Sequence, residues 1–188
     1  RDVAPSRGLG DVYKRQALFL MFVFKEVDPF LTSSVSRIGR RAAMKRCFLN
    51  MLALSAGFTF IYVLVQLVGV SVFVDMDILI SKHFYQNMIF YYIAVFIIFS
   101  FGGVCYLLFY VITRLKIVSL LMAVAVNLYM VYYLKIDNLY FGLTVIDTMS
   151  LGGSVQAVIW FLKRVRDIAI TTGIYMLADV VYEKRDIV

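Results

Sequence analysis

Charge is scarce in this chain. Only 16% of its 188 residues are Asp, Glu, Lys or Arg, against about 25% in a soluble domain, while 62% are hydrophobic. The mean hydropathy is +0.85. One small soluble core cannot hide that much apolar side chain, so a disordered chain and an ordinary cytosolic enzyme are excluded. Two cysteines, Cys47 and Cys105, are too few for a disulfide-stapled secreted module. They lie in separate apolar runs, and with His83 as the single histidine no metal-ligand cluster is expected. GxSxG, HExxH and GxGD motifs are all missing, as is a phosphate-cradling GxxxxGK[ST] loop, so neither an enzyme nor a bound cofactor is expected. Short segments of alternating polarity, the mark of a membrane β-barrel, are lacking too. What remains is an integral membrane protein made of helices: all-α, a polytopic transmembrane helical bundle.

Residues 1–16, RDVAPSRGLGDVYKRQ, differ from everything after them. They are polar, contain two of the eleven glycines and one of the two prolines, and run abruptly into ALFLMFVF. Residues 6–16 resemble the in-frame translation of a transposase-type sequencing-library adapter, DVYKRQ being what GAT GTG TAT AAG AGA CAG encodes. Such a segment is set apart from fold reasoning. On this reading the bundle is N-terminally truncated, with one or more helices expected upstream of residue 17. The formal charge of +7 becomes 15 basic against 10 acidic residues over 172, or +5.

A spanning helix needs about 20 mostly apolar residues. Residues 17–24 are too few and read as the end of a helix. Residues 47–74 carry no charge, nor do 88–113, nor the 18 residues of 117–134. A fourth run, 155–182, is interrupted by Lys163, Arg164, Arg166 and Asp167. Asp28-Pro29 and the SLGGS stretch at 150–154 are the main punctuation.

The loops orient these runs. Residues 25–46 hold Lys25, Arg37, Arg40, Arg41, Lys45 and Arg46 against Glu26 and Asp28, and Arg114 and Lys116 flank the next turn on that side. Residues 75–87 have Lys82 against Asp75 and Asp77. Short basic loops stay in the cytoplasm. The basic balance therefore reports orientation in a bacterial inner membrane, with no nucleic-acid partner implied. The first full run leaves the cytoplasm, the second returns, the third leaves, and 155–182 brings EKRDIV back, with 138–156 irregular or re-entrant outside. This leaves Lys163, Arg164 and Arg166 near the outer face. In a second arrangement 140–162 is the span, KRVRD is inside and the C-terminus outside. Asp147 and Asp179 are the acids nearest apolar surroundings and read as solvated or capping groups. Tyr85, Tyr91, Tyr92, Tyr132, Tyr133 and Tyr140 read as an interfacial aromatic belt.

Ser55, Thr59, Tyr62, Gln66 and Gly69 follow 4-3-4-3 spacing, which sets all five on one helix face. A polar stripe of this kind faces protein, as a packing surface, or a water-filled conduit for substrate. Ser119, Ala123 and Asn127 repeat the pattern in the third full run, and Gly102-Gly103 allows close approach or a kink.

After Asp28-Pro29 comes FLTSSVSRIGRRAAMKRCFLN. Thr32, Ser33 or Ser34 is placed to cap a short helix up to Arg46, with Phe30, Leu31, Val35 and Ile38 on its apolar side. One reading makes it a positive-inside anchor on lipid headgroups; another makes it a helix that docks into a cytoplasmic ATPase. The stretch DPFLTSSVSRIGRRAAMKRCFLNMLALSAGFTFIY resembles the segment after the second membrane helix in permease subunits of bacterial ABC-2-type exporters, nearest the lantibiotic and bacteriocin efflux or immunity group. DVVYEKRDIV resembles the close of those subunits. The resemblance implies that Ser36, Arg37, Ile38, Gly39, Arg40 and Arg41 form the ATPase-coupling element, that 17–24 ends span two, and that the later runs are spans three to six. It implies two partners besides the lipid bilayer: a cytoplasmic ATP-binding subunit and a second permease subunit. The basic turn at 163–166 departs from the family pattern. The competing reading is a non-transporting accessory or immunity membrane protein that acts by binding partners.

Overall fold

A computed structural model describes residues 19, 20, 23, 39–81, 84–132 and 154–184. The adapter-like 1–16, residues 28–38 of the basic loop, and 138–153 with Asp147 lie outside the described residues. Among the described residues the structure is helical, without strands. The helices are α1 (Arg40–Phe73), a short α2 (Met76–Ser81), α3 (Phe84–Thr113), α4 (Lys116–Tyr132) and α5 (Ser154–Lys184). Of these, α1 and α3 are long and apolar enough to cross a membrane.

The start of α1 corrects the expectation of a separate basic helix ending at Arg46. Gly39 sits at φ +86°, a left-handed conformation that suits glycine and breaks the helical path. The helix begins at the next residue and runs without interruption to Phe73, so Arg40, Arg41, Lys45 and Arg46 occupy the first turns of α1 itself. At its far end Val74 turns extended and donates its N–H to the Val70 carbonyl.

α3 is the centre of the bundle. Its most apolar window is 72% buried, against 28% for α1, and residues 97–107 are buried without exception. A helix hidden on every side must be surrounded by others, and α1, α4 and α5 all pack on it. Phe19, also fully buried, wedges in with its ring 5.5 Å from Phe58 and 5.2 Å from Phe99.

Contacts along these helices fix their directions. α1 runs antiparallel to α3, since Gly103 faces Met51 while Tyr91 faces Tyr62. α3 and α4 form a tight hairpin over Arg114 and Leu115. Arg114 adopts φ +56°, its N–H reaches the Tyr110 carbonyl at 2.9 Å, and the Thr113 and Ser119 hydroxyls pair at 2.9 Å across the turn. α5 lies parallel to α3, with Trp160 against Phe90 near one end and Tyr182 within electrostatic reach of Arg114 at the other.

One end of the bundle therefore gathers the starts of α1 and α4 and the ends of α3 and α5, with Arg40, Arg41, Lys45, Arg46, Arg114, Lys116 and Lys184. Asp75 and Asp77 mark the opposite end. α5 has no break after residue 162, and its C-terminal turn meets the start of α1.

At Gly103, α3 packs tightly against α1. A Cβ built there would lie 2.7 Å from the Met51 sulfur and 2.9 Å from its Cγ, and Met51 is itself buried. Gly103→Leu is expected to destabilise the bundle by about 1–3 kcal/mol through overpacking, read as a lower melting temperature of the purified protein. Met51→Ala in the same background should recover most of the loss; an unchanged melting temperature in the single variant would contradict this packing.

Candidate functional site

The polar stripe of α1 faces α3. Ser55, Thr59 and Tyr62 are buried, and Gln66 and Gly69 half-buried. The Ser55 hydroxyl donates to the Met51 carbonyl at 2.9 Å and the Thr59 hydroxyl to the Ser55 carbonyl at 2.7 Å. Back-bonding of this kind satisfies a hydroxyl inside its own helix and lets a neighbour approach. Tyr62 reaches across: its hydroxyl is 3.0 Å from that of Tyr91 and accepts from Gln66 Nε2 at 2.9 Å. Gly69 makes no close approach, because a Cβ there would meet nothing within 4 Å. Asn127 is buried on α4, donating to the Ala123 carbonyl at 2.7 Å, on a helix that packs chiefly on α3 and does not extend the stripe.

Tyr91 departs from its expected place in an aromatic belt. It is buried and paired with Tyr62, and Tyr92 turns inward to donate to the Ala56 carbonyl at 3.4 Å. Tyr85 is exposed, with its hydroxyl 3.3 Å from the Met76 sulfur.

Of the coupling residues inferred from resemblance, Gly39, Arg40 and Arg41 are described; Ser36, Arg37 and Ile38 lie outside the described residues. Arg41 forms a two-point pair with Glu183, Nε to Oε1 at 3.1 Å and Nη2 to Oε2 at 3.3 Å. Arg40 Nη1 donates to the Glu183 carbonyl at 3.3 Å, a cation on the negative end of the α5 dipole. Two turns deeper Phe48 stacks on Tyr175, centroids 4.0 Å apart. The exposed ion pair contributes little by itself, about 0.2–1 kcal/mol. Its significance is positional, because it fastens the start of α1 to the end of α5.

A second polar site was not foreseen. Arg164, expected near the outer face, and Asp167 are 3% and 0% exposed. They lie on the packed face of α5 with Trp160 and Thr171. Arg164 Nη1 is 3.3 Å from Asp167 Oδ2, while Arg166 Nε and Nη2 approach Oδ1 at 3.1 and 2.8 Å. The Arg164 guanidinium sits 5.6 Å from the Trp160 ring centroid, and Phe90 of α3 meets that ring edge-on at 5.1 Å. Taking each charge out of water costs several kcal/mol, which only close pairing offsets. The one signal available in the sequence was Arg and Asp three residues apart with Trp four residues before the Arg, the spacing of a single helix face. Asp179 is half-buried near the basic end. Among the described residues no group of His, Cys, Asp or Glu is arranged to hold a metal, and both cysteines are free and buried.

Asp167→Ala removes the carboxylate shared by two guanidiniums, one of them fully enclosed. The expected cost is about 3–5 kcal/mol, seen as loss of folded protein on extraction. Arg164→Met combined with Asp167→Leu should be better tolerated than Asp167→Ala alone; if the single variant is as stable as the parent, the pair is not buried as described. At the other interface, a double-mutant cycle of Tyr62→Phe and Tyr91→Phe should give a coupling of about 0.6 kcal/mol and no more than about 1.7, measured by thermal denaturation. Strict additivity would rule out the bond between the two hydroxyls.

Comparison with known proteins gives no match to any protein family, curated protein or solved structure.

Proposed function

We propose that this chain is a multi-pass protein of the bacterial inner membrane and acts as the permease subunit of an ATP-driven exporter of the ABC-2 type. The observation that carries the reading is the clasp between Arg40, Arg41 and Glu183, backed by Phe48 on Tyr175. Of the coupling residues, Gly39 immediately precedes α1, and Arg40 and Arg41 form the first turn of that 34-residue helix. A displacement of that segment by a docked ATPase would move α1 as a unit, and the clasp would pass the movement to α5. The basic residues collected at this end support a cytoplasmic position for it. With no phosphate-binding loop in the chain, ATP would be bound and hydrolysed on the partner subunit. The cargo class implied by the resemblance is an antimicrobial peptide or drug.

One observation favours the alternative, an accessory or immunity protein acting by partner binding. The Ser55 and Thr59 hydroxyls are spent on their own helix and Tyr62 on Tyr91, an arrangement suited to packing more than to lining a substrate path. An adjacent reading frame encoding GxxxxGK[ST] favours the permease; its absence favours the accessory protein.

Reversing Arg37, Arg40 and Arg41 to Glu should abolish co-purification with the ATPase while membrane insertion is retained. Adding Glu183→Arg should restore the clasp without restoring the complex. Unchanged co-purification and transport after the triple reversal would overturn the coupling assignment.

A further inference from the structure

The carboxylate that holds Arg41 sits at the wrong end of its own helix. Glu183 lies in the last turn of α5, where the negative end of the helix dipole disfavours an acid. Arg40 and Arg41 lie in the first turn of α1, where the positive end disfavours a cation and no acidic residue offsets it. Neither placement serves the helix that carries it, and each is offset by the other across 142 residues of sequence. The pair is also open to exchange. The Arg41 and Glu183 side chains are 76% and 42% exposed. Their two contacts, at 3.1 and 3.3 Å, use the planar guanidinium fork that receives a carboxylate from any source. An ion pair this exposed is weakly held.

A carboxylate arriving from outside meets the same fork and the same positive helix end. Lys45 and Arg46, exposed on α1, and Lys184, exposed beside Glu183, make the surroundings basic, which favours an acidic surface over a neutral one. Arg40 on the Glu183 carbonyl and Phe48 on Tyr175 do not involve the carboxylate, so α1 and α5 stay joined when it leaves. We propose that Glu183 is an autoinhibitory competitor. In the free chain its carboxylate occupies the Arg41 fork, and docking exchanges it for a carboxylate on an acidic surface of a cytoplasmic protein partner. This competition rests on the reading of 36–41 as a docking element, and does not require that the partner be an ATPase.

The probe is a fluorescein-labelled hexaglutamate peptide, titrated by anisotropy against the whole chain in phosphatidylcholine nanodiscs at low salt, where exposed charges are least screened. Glu183→Gln is expected to bind the peptide about two- to fivefold more tightly than the parent, the gain from removing a competitor of this strength. In an Arg41→Gln background the same change should give no gain. Equal affinity of the parent and Glu183→Gln would overturn the competition. So would a gain that survives in the Arg41→Gln background, because net charge alone would then explain it. Absence of peptide binding to either form would overturn the acidic partner. With about a third of the lipid replaced by phosphatidylglycerol the ratio should persist; its loss would assign the uncovered arginine to lipid headgroups and reject the protein partner. If Glu183→Gln is not recovered folded, Glu183→Asp takes its place, with the charge kept and the carboxylate drawn back from Arg41. The peptide reads the exchange without an ATPase. A failed exchange with arginine-dependent co-purification intact therefore rejects the competitor and leaves the docking reading, while failure of both rejects 36–41 as a docking element.

Discussion

The burial of α3 is the constraint from which the other contacts follow. A helix with eleven consecutive buried residues has no face left for solvent or lipid, so its neighbours must cover every direction. α4 is held by the two-residue turn at Arg114, α1 by the close approach of Met51 to Gly103, and α5 by Trp160 on Phe90. Each neighbour then shows its remaining apolar surface outward, as Phe60, Ile61, Leu64 and Val68 do on α1. An outer surface of that kind is costly in water and unremarkable in lipid, where helices associate by close packing and internal hydrogen bonds.

The same constraint orders the charges. Because α1 and α4 start where α3 and α5 end, a single end of the bundle receives seven basic side chains. There Arg41 and Glu183 meet in the open, a pairing of small energy that nonetheless connects two helices far apart in sequence. The opposite regime holds at Arg164 and Asp167, where enclosure makes each charge dependent on the other. The two sites divide the work in the proposed function. The exposed clasp is free to be rearranged by a cytoplasmic partner, and the enclosed pair fixes α5 within the bundle.

Much of the architecture was legible because apolar runs are long and interrupted only by charges or turns. The run 88–113 lies within α3, and 117–134 overlaps α4 up to its end at Tyr132. Spacing alone located Ser55, Thr59 and Tyr62 on one buried face, since a helical period fixes which residues share a side. Three features were illegible for physical reasons. Arg40–Arg46 read as a loop element, because a basic cluster says nothing about whether its backbone is continuous with the next helix. Tyr91 read as a belt residue, because a tyrosine near a helix end serves equally well at an interface or paired inside, and only the position of Tyr62 decides. Arg164 and Asp167 read only as an interruption of an apolar run, because burial of an ion pair depends on what packs across from it, here Phe90 and its neighbours on α3.

The central claim is that the bundle crosses a membrane with its basic end in the cytoplasm. Substituted-cysteine labelling tests it most directly, in a Cys47→Ser, Cys105→Ser background carrying either Asp77→Cys or Leu115→Cys. In intact cells an impermeant maleimide should label residue 77 and reach residue 115 only after the membrane is opened. Labelling of residue 115 but not 77 would invert the topology, and equal labelling of both only after lysis would contradict a membrane-spanning bundle.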